Sequence, residues 1–208
     1  MSEQEPFGPA LPASFYNRPA DLVAPDLLGK WLKVTEDGGV GGHGPVVRAG
    51  RIVETEAYLG EADLACHAAK GLTRRTATIY GDPGTAYVYL IYGMYDMFNV
   101  VAAEPGVPHA VLVRAVELWG PAGEGMRGDG PGRLTRALGI DRSHDGASLL
   151  GPTLTIHTVE PPRETTVTAR VGVAYARAWA DAPLRYLDAD SSGVSRPARS
   201  TIGSGTAG

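Results

Sequence analysis

The sequence lacks the features that would support a disulfide framework or a membrane span. Of its 208 residues only Cys66 is a cysteine, which excludes an internal disulfide and suits a reducing cytosol. It contains no run of about eighteen apolar residues, so we expect no membrane span. The opening "MSEQEPFGPALP" is acidic and broken by proline, unlike a signal or transit peptide. These absences together predict a cytoplasmic protein.

Residue patterns that hold metals, nucleotides or acyl intermediates are also missing. No serine lies in a nucleophile elbow, and neither a phosphate-binding loop nor a dinucleotide fingerprint is present. The histidines show no ligand-spaced pair, and one cysteine cannot form a thiolate cluster. We therefore expect no structural metal site. The five histidines are His43, His67, His109, His144 and His157.

The net charge of −4, from 19 basic and 23 acidic residues, argues mildly against binding to nucleic acid. The charge is uneven, however, because residues 66–143 hold 8 basic residues against 7 acidic ones. A phosphate group responds to the local electrostatic potential of a surface rather than to the net charge of the protein. The chain can therefore still present a basic face.

Apolar spacing and turn residues predict one domain of mixed α/β type with a mainly antiparallel sheet. A short helix is expected to begin at Ser14 and to break near Pro25, before a strand from Gly29. Two further helices are expected: a short one at the start of residues 61–84, followed by a basic loop, and one over about Gly132–Leu138. The domain is expected to span residues 14–199, between a flexible lead (1–13) and a flexible tail (200–208).

Two carboxylates fall on one predicted strand face in "RIVETEAYLG". The two-residue period places Glu54 and Glu56 on the same side as Ile52 and Tyr58. This face is either solvated or functional, because burying a charge is costly. Arg114 interrupts another apolar strand, where an arginine usually pairs with a carboxylate or holds substrate or water. Glu56 and Arg114 therefore form either a structural salt bridge or a general base with a water-holding partner.

The segment "YVYLIYGMYDMFNV" holds four tyrosines around a predicted hairpin turn at Tyr92 and Gly93. Aromatic faces suit nucleobases, which stack on them. Enzymes that act on a base take it out of the helix, and a side chain at a protruding tip can fill the gap. Tyr58, Tyr89 and His67 could then line a base-sized pocket. The alternative for each tyrosine singly is an amphipathic residue at the rim of the core.

Several long motifs, in order and in register, resemble the alkyladenine DNA glycosylase family. They are "FYNRPADLVAPDLLGKWL", "RIVETEAYLGEADLACHA", "PGTAYVYLIYGMYDMFNVV", "AVLVRAVE" and "GPGRLTRALGID". The resemblance implies an α+β fold: a single mixed domain with a curved antiparallel sheet, flanking helices and a protruding β-hairpin. It also implies a monomer that acts on damaged double-stranded DNA in the nucleoid and needs no cofactor.

The activity that the resemblance implies is hydrolysis of the N-glycosidic bond of alkylated or deaminated purines, leaving an abasic site. Glu56 matches the general base and Arg114 the residue that helps hold the nucleophilic water. The four motifs after the opening one contain no lysine for a Schiff base with the sugar, so strand cleavage is not expected. The matching pocket residues are Tyr58, His67, Tyr89 and Asn99.

The resemblance implies a DNA contact at the hairpin tip. Four arginines are separate candidates, each of which either contacts a phosphate or is a solvated surface charge. Tyr92 matches the side chain that fills the space left by the flipped base. The candidates for phosphate contact are Arg74, Arg75, Arg133 and Arg136. Two other functions remain open at this stage: a damage-binding protein without catalysis, and a glycoside hydrolase that uses Glu54 and Glu56 as its carboxylate pair.

Overall fold

A computed structural model describes residues 7–37, 44–120, 124–159, 162 and 164–195. Within these ranges eight strands form one curled sheet, and every pairing is antiparallel. The predicted α+β class and antiparallel sheet are thus confirmed. The strands are β1 (Trp31–Glu36), β2 (Val46–Leu59), β3 (Ala86–Ile91), β4 (Tyr95–Ala102), β5 (His109–Trp119), β6 (Leu154–His157), β7 (Thr165–Thr168) and β8 (Arg185–Asp188).

The helices are short and begin at prolines. The α-helices of the described chain are α1 (Ala13–Tyr16), α2 (Ala20–Asp26) and α3 (Pro131–Leu138). The first helix begins at Ala13 rather than at Ser14, and Pro12 and Pro19 occupy the N-cap positions of α1 and α2. Helix α2 ends at Asp26, one residue after Pro25, so the predicted break near Pro25 is confirmed.

Two further boundaries differ from the sequence expectation. The first strand begins at Trp31 rather than Gly29, because Gly29 has a φ of 81° and turns the chain beforehand. The predicted short helix after β2 is a set of separate 3₁₀ turns. These are Gly60–Ala62, His67–Lys70 and Ala77–Tyr80.

Strand β2 is central, since it pairs with β1, β5 and β8. Its pairing with β5 is irregular between Ile52 and Thr55. Ile52 consequently packs in the main core with Ala57, and the expectation that it shares a face with Glu54 and Glu56 is wrong. Such an irregularity turns the alternation of side chains over to the other face.

The predicted hairpin forms from β3 and β4, with Ile91 opposite Tyr95. The Met94 amide donates to the Ile91 carbonyl oxygen at 3.2 Å, and Tyr92 and Gly93 have φ values of 52° and 70°. Positive φ at both central residues is the pattern of a type I′ turn. Tyr92 is 84% exposed at this tip.

Part of the predicted N-terminal lead lies against the sheet. Phe7 makes edge contacts with Trp31 and Trp119 at centroid distances of 5.8 and 5.2 Å, and Leu11 is buried. The tail at 200–208 lies outside the described residues, and the domain boundaries stay a prediction. No helix in the described chain is both long and apolar enough to cross a membrane.

Candidate active site

The Glu56 carboxylate is fully buried and accepts three hydrogen bonds. Its Oε2 atom accepts from the Tyr58 hydroxyl at 2.8 Å and from Arg114 Nη1 at 3.3 Å. Its Oε1 atom accepts from the Val171 amide at 2.7 Å. These are contacts that an ionised carboxylate accepts, and each oxygen can accept two donors. Among the residues that the structure describes, no second donor contacts Oε1.

Arg114 is held mainly by Glu54 rather than by Glu56. Its Nε atom donates to Glu54 Oε1 at 2.9 Å, and Glu54 also accepts from Arg185 Nε at 2.8 Å. Ser195 completes the contacts of Glu54, through its amide at 2.5 Å and its hydroxyl at 2.9 Å. Burial acts to lower the pKa of Arg114, but Glu56 and Glu54 outweigh it and the pKa is raised. The structural ion pair of this site is therefore Arg114–Glu54, and Glu56 is left less firmly paired.

Tyr58 joins the Glu56 carboxylate to the cavity. Burial, followed by the charge of Glu56, raises the pKa of its phenol well above the usual range, so Tyr58 is a neutral donor. Arg170 covers its ring, with Cζ 4.7 Å from the centroid. Arg170 in turn makes two hydrogen bonds to Asp63, at 2.5 and 2.8 Å.

A cavity of about 380 Å³ opens beside these residues. His67 Nδ1 lies 3.0 Å from the Tyr87 hydroxyl, and the His67 and Tyr89 rings meet edge to face at 4.4 Å. Tyr87 thus also contributes to the cavity. The sequence-predicted residues among its lining are Tyr58, His67, Tyr89, Tyr92, Asn99 and Arg114.

The cavity groups are neutral apart from the arginine. Burial, then the charges of Arg75 and Lys70, lowers the pKa of His67 to about 4. Burial likewise raises the pKa of Tyr87 to about 12. Asn99 uses its amide nitrogen to donate to the carbonyl oxygens of Tyr87 and Met97, at 3.1 and 3.3 Å, so its side-chain oxygen is available as an acceptor. The cavity therefore suits a flat, polar-edged ring.

The four arginines proposed for phosphate contact differ in their surroundings. All four side chains are exposed. Arg75 lies over the Tyr89 ring, with Cζ 5.4 Å from the centroid. Arg133 pairs with Asp129 at 3.1 Å. All four stay candidates, but Arg75 and Arg133 already have partners within the protein.

The geometry bears on one of the two alternative functions, the glycoside hydrolase. Neither glutamate is among the residues that line the cavity. Glu54 accepts hydrogen bonds from Arg114, Arg185 and Ser195, which disfavours a glycoside hydrolase that uses Glu54 and Glu56 as its carboxylate pair. Among the described residues no group of three or more His, Cys, Asp or Glu side chains could hold a metal ion.

Sequence reasoning missed the residues that support Glu56 and Glu54 from later in the chain. Arg170 and Arg185 were detectable only as arginines in otherwise apolar surroundings, the criterion that had identified Arg114. The backbone amide of Val171 gives no sequence signal. The missed residues are Asp63, Arg170, Val171, Arg185 and Ser195.

Fold and site together define a single-sheet α+β protein with a buried glutamate beside an aromatic cavity. The model of the methylpurine-DNA glycosylase (MPG) family matches residues 14–192, and the chain belongs to this family. The resemblance found from the motifs is thereby confirmed. The chain is a DNA glycosylase of DNA repair, and damaged DNA is its substrate class.

The sequences of curated relatives align with this chain over most of their length. A provisionally named 3-methyladenine DNA glycosylase of Myxococcus xanthus (strain DK1622) is 53% identical over 89% of this chain and 93% of its own. Proteins with the same provisional name from Legionella pneumophila (strain Lens) and Anaeromyxobacter dehalogenans (strain 2CP-1) are 45% and 50% identical. The alignments cover 89% and 90% of this chain, and 98% and 86% of those relatives.

Proposed function

We propose that this protein flips alkylated purines out of duplex DNA and hydrolyses their N-glycosidic bond without cutting the strand. The observation that carries the proposal is the buried Glu56, bonded to Tyr58 and Arg114, which both line an aromatic cavity. The 84% exposed Tyr92 on the rim of that cavity suits a side chain that fills the vacated space in the duplex.

The proposed reaction follows from the charges at the site. The C1′–N bond breaks and its electron pair leaves with the purine, while a water oxygen bonds to C1′ and its proton passes to Glu56. The negative charge of Glu56 also stabilises the oxocarbenium-like sugar, and Arg114 fixes the geometry of the water. Glu56 is shielded in the free protein, so the reaction requires a local movement that admits water on DNA binding.

Cationic lesions such as 3-methyladenine and 7-methylguanine fit the cavity best. Their purine leaves as a neutral molecule and needs no proton donor. Tyrosine faces attract cations, and the neutral His67 adds no repulsion. A neutral lesion such as hypoxanthine or ethenoadenine would need protonation as it leaves. The described cavity lining holds no carboxylic acid for this step, so slower release is expected.

The test is single-turnover release of base from alkylated duplex DNA and from duplexes with one hypoxanthine or ethenoadenine. Abasic sites are revealed by alkali, and Glu56→Gln is compared with wild type. The proposal expects release by wild type, cleavage only after alkali, and near-complete loss in Glu56→Gln with binding to DNA kept. If both proteins bind damaged duplex and neither releases any base, the protein is a damage-binding protein instead.

A further inference from the structure

Arg170 is a buried guanidinium attached to the strand segment that carries Glu56. Its Nη1 atom donates to the carbonyl oxygen of Ala57 at 2.8 Å, between the two site residues of β2. Its planar group lies over the Tyr58 ring, with Cζ 4.7 Å from the centroid. The Arg170 side chain thus contacts both the backbone next to Glu56 and the ring of Tyr58, which donates a hydrogen bond to Glu56.

The residue after Arg170 contacts the carboxylate itself. The Val171 amide donates to Glu56 Oε1 at 2.7 Å, and this is the shortest of the three hydrogen bonds to Glu56. Arg170 is fixed in turn by Asp63, whose oxygens also accept from the amides of Leu59 and Ala65. The loop that carries Val171 is thereby tied to the end of β2.

Stability alone is a weak reason for this arrangement. Both charges of the Asp63–Arg170 pair are buried, and Arg170 Nε has no hydrogen-bond partner in the described structure. An apolar pair of similar volume commonly fills such a site with equal or greater stability. An apolar pair could not hold the Tyr58 ring, the Ala57 carbonyl and the Val171 amide in one fixed arrangement.

We propose that Arg170 is a positioning residue that orients the Glu56 carboxylate, by holding Tyr58 on one side and the Val171 amide on the other. The inference rests on the proposed function, because Glu56 must act as the base for its orientation to matter. Arg170 does not line the cavity, so its effect reaches the reaction through Glu56 and Tyr58 and not through contact with the base.

The test measures the single-turnover rate at saturating enzyme and the enzyme concentration for half saturation, using alkylated duplex DNA. Arg170→Met is expected to lower the rate about tenfold to a hundredfold, as for loss of hydrogen bonds to a charged group, with half saturation changed by less than about threefold. Arg18→Met is the matched control. Arg18 pairs with Asp26 at 2.9 Å and covers the Phe15 ring at 4.8 Å, outside the site.

Two more variants keep the result decisive. If Arg170→Met does not fold, Arg170→Lys retains the charge opposite Asp63 and carries the test. It is expected to lose about threefold to tenfold, because an ammonium lacks the planar contact with Tyr58. A Tyr58→Phe, Arg170→Met double variant should be within about threefold of the slower single variant, because both act on the same carboxylate.

The outcomes separate this inference from the proposed function. Three results would each overturn the positioning role: a folded Arg170 variant with the wild-type rate, a change only in the enzyme concentration for half saturation, or rate losses that multiply in the double variant. In each of these cases wild type and Glu56→Gln would still behave as the proposed function expects. Wild-type protein that binds damaged duplex without releasing base would overturn the proposed function, and the inference with it.

Discussion

The Tyr58 hydroxyl donates to Oε2 of Glu56 across 2.8 Å, so a ring on the cavity wall is bonded directly to the carboxylate behind it. Any ligand that moves the ring must also move, or release, the carboxylate. The Tyr58 phenol therefore couples recognition of a flipped nucleobase to the orientation of Glu56, the proposed general base.

Removing that phenol oxygen should slow the reaction without emptying the cavity. We expect Tyr58→Phe to lower the single-turnover rate about tenfold to a hundredfold, because a hydrogen bond to a charged group contributes about 1.5–3 kcal/mol. Binding to damaged duplex should change little, since the aromatic face is kept. Tyr80→Phe is the control, as its hydroxyl bonds the exposed Glu61 at 2.7 Å, and equal losses in both variants would contradict the prediction.

Neutralising Glu54 should destabilise the whole fold. Glu54→Gln leaves the buried Arg114 and Arg185 without their shared carboxylate, and breaking a buried pair costs about 3–5 kcal/mol. Urea denaturation measures the free energy of unfolding. Glu117→Gln removes one partner of Arg51 from a partly exposed pair, and Arg51 keeps Asp188 as its second partner, so the cost should be about 1 kcal/mol or less. Similar losses of unfolding free energy from the two substitutions would show that the Glu54 network contributes no more to stability than the Arg51–Glu117 pair.

Replacing Tyr92 at the hairpin tip should raise the stability of the protein and lower its activity. Tyr92 has a φ of 52°, a conformation that disfavours tyrosine by about 1–2 kcal/mol and that asparagine adopts more readily. Tyr92→Asn is therefore expected to raise the free energy of unfolding by about 0.5–1 kcal/mol and to lower base release from duplex DNA. Tyr175→Asn, at another exposed tyrosine, is the comparison for stability. A Tyr92→Asn protein that is both more stable and fully active would refute the insertion role.

Stability should fall in acid partly through His67. Its pKa is about 4 in the folded protein against 6.5 ordinarily, so below about pH 6.5 the unfolded chain binds the proton more readily. The destabilisation of the fold by His67 is absent above about pH 6.5, grows as the pH falls to about 4, and does not increase further below that.

Denaturation of wild type and His67→Gln between pH 4 and 7 isolates this group. The difference between their free energies of unfolding should shift in favour of the variant as the pH is lowered. His109, whose pKa burial also lowers, is present in both proteins and cancels. A difference that is constant with pH would contradict the prediction.

Local sequence pattern was enough to predict the hairpin and the contact between Glu56 and Arg114. Alternating apolar residues and Gly93 specify the turn, and a lone arginine in an apolar strand predicts a carboxylate partner. The face of Ile52 was mispredicted, because the irregularity in β2 arises in its pairing with β5 and not within its own residues. Arg170 and Ser195 could not be placed, since their carboxylate partners lie 107 and 141 positions earlier in the chain.

The distance along the chain between Glu54 and Ser195 has a consequence for synthesis. Ser195 supplies its two hydrogen bonds only after 141 further residues have been added, which takes on the order of ten seconds at bacterial-like translation rates. Once Arg114 has been added, a nascent chain has Tyr58, Tyr87, Tyr89 and Tyr92 but still lacks the contacts that Ser195 makes with Arg114 and Glu54. The growing polypeptide therefore acquires its aromatic surface well before its hydrolytic centre is complete.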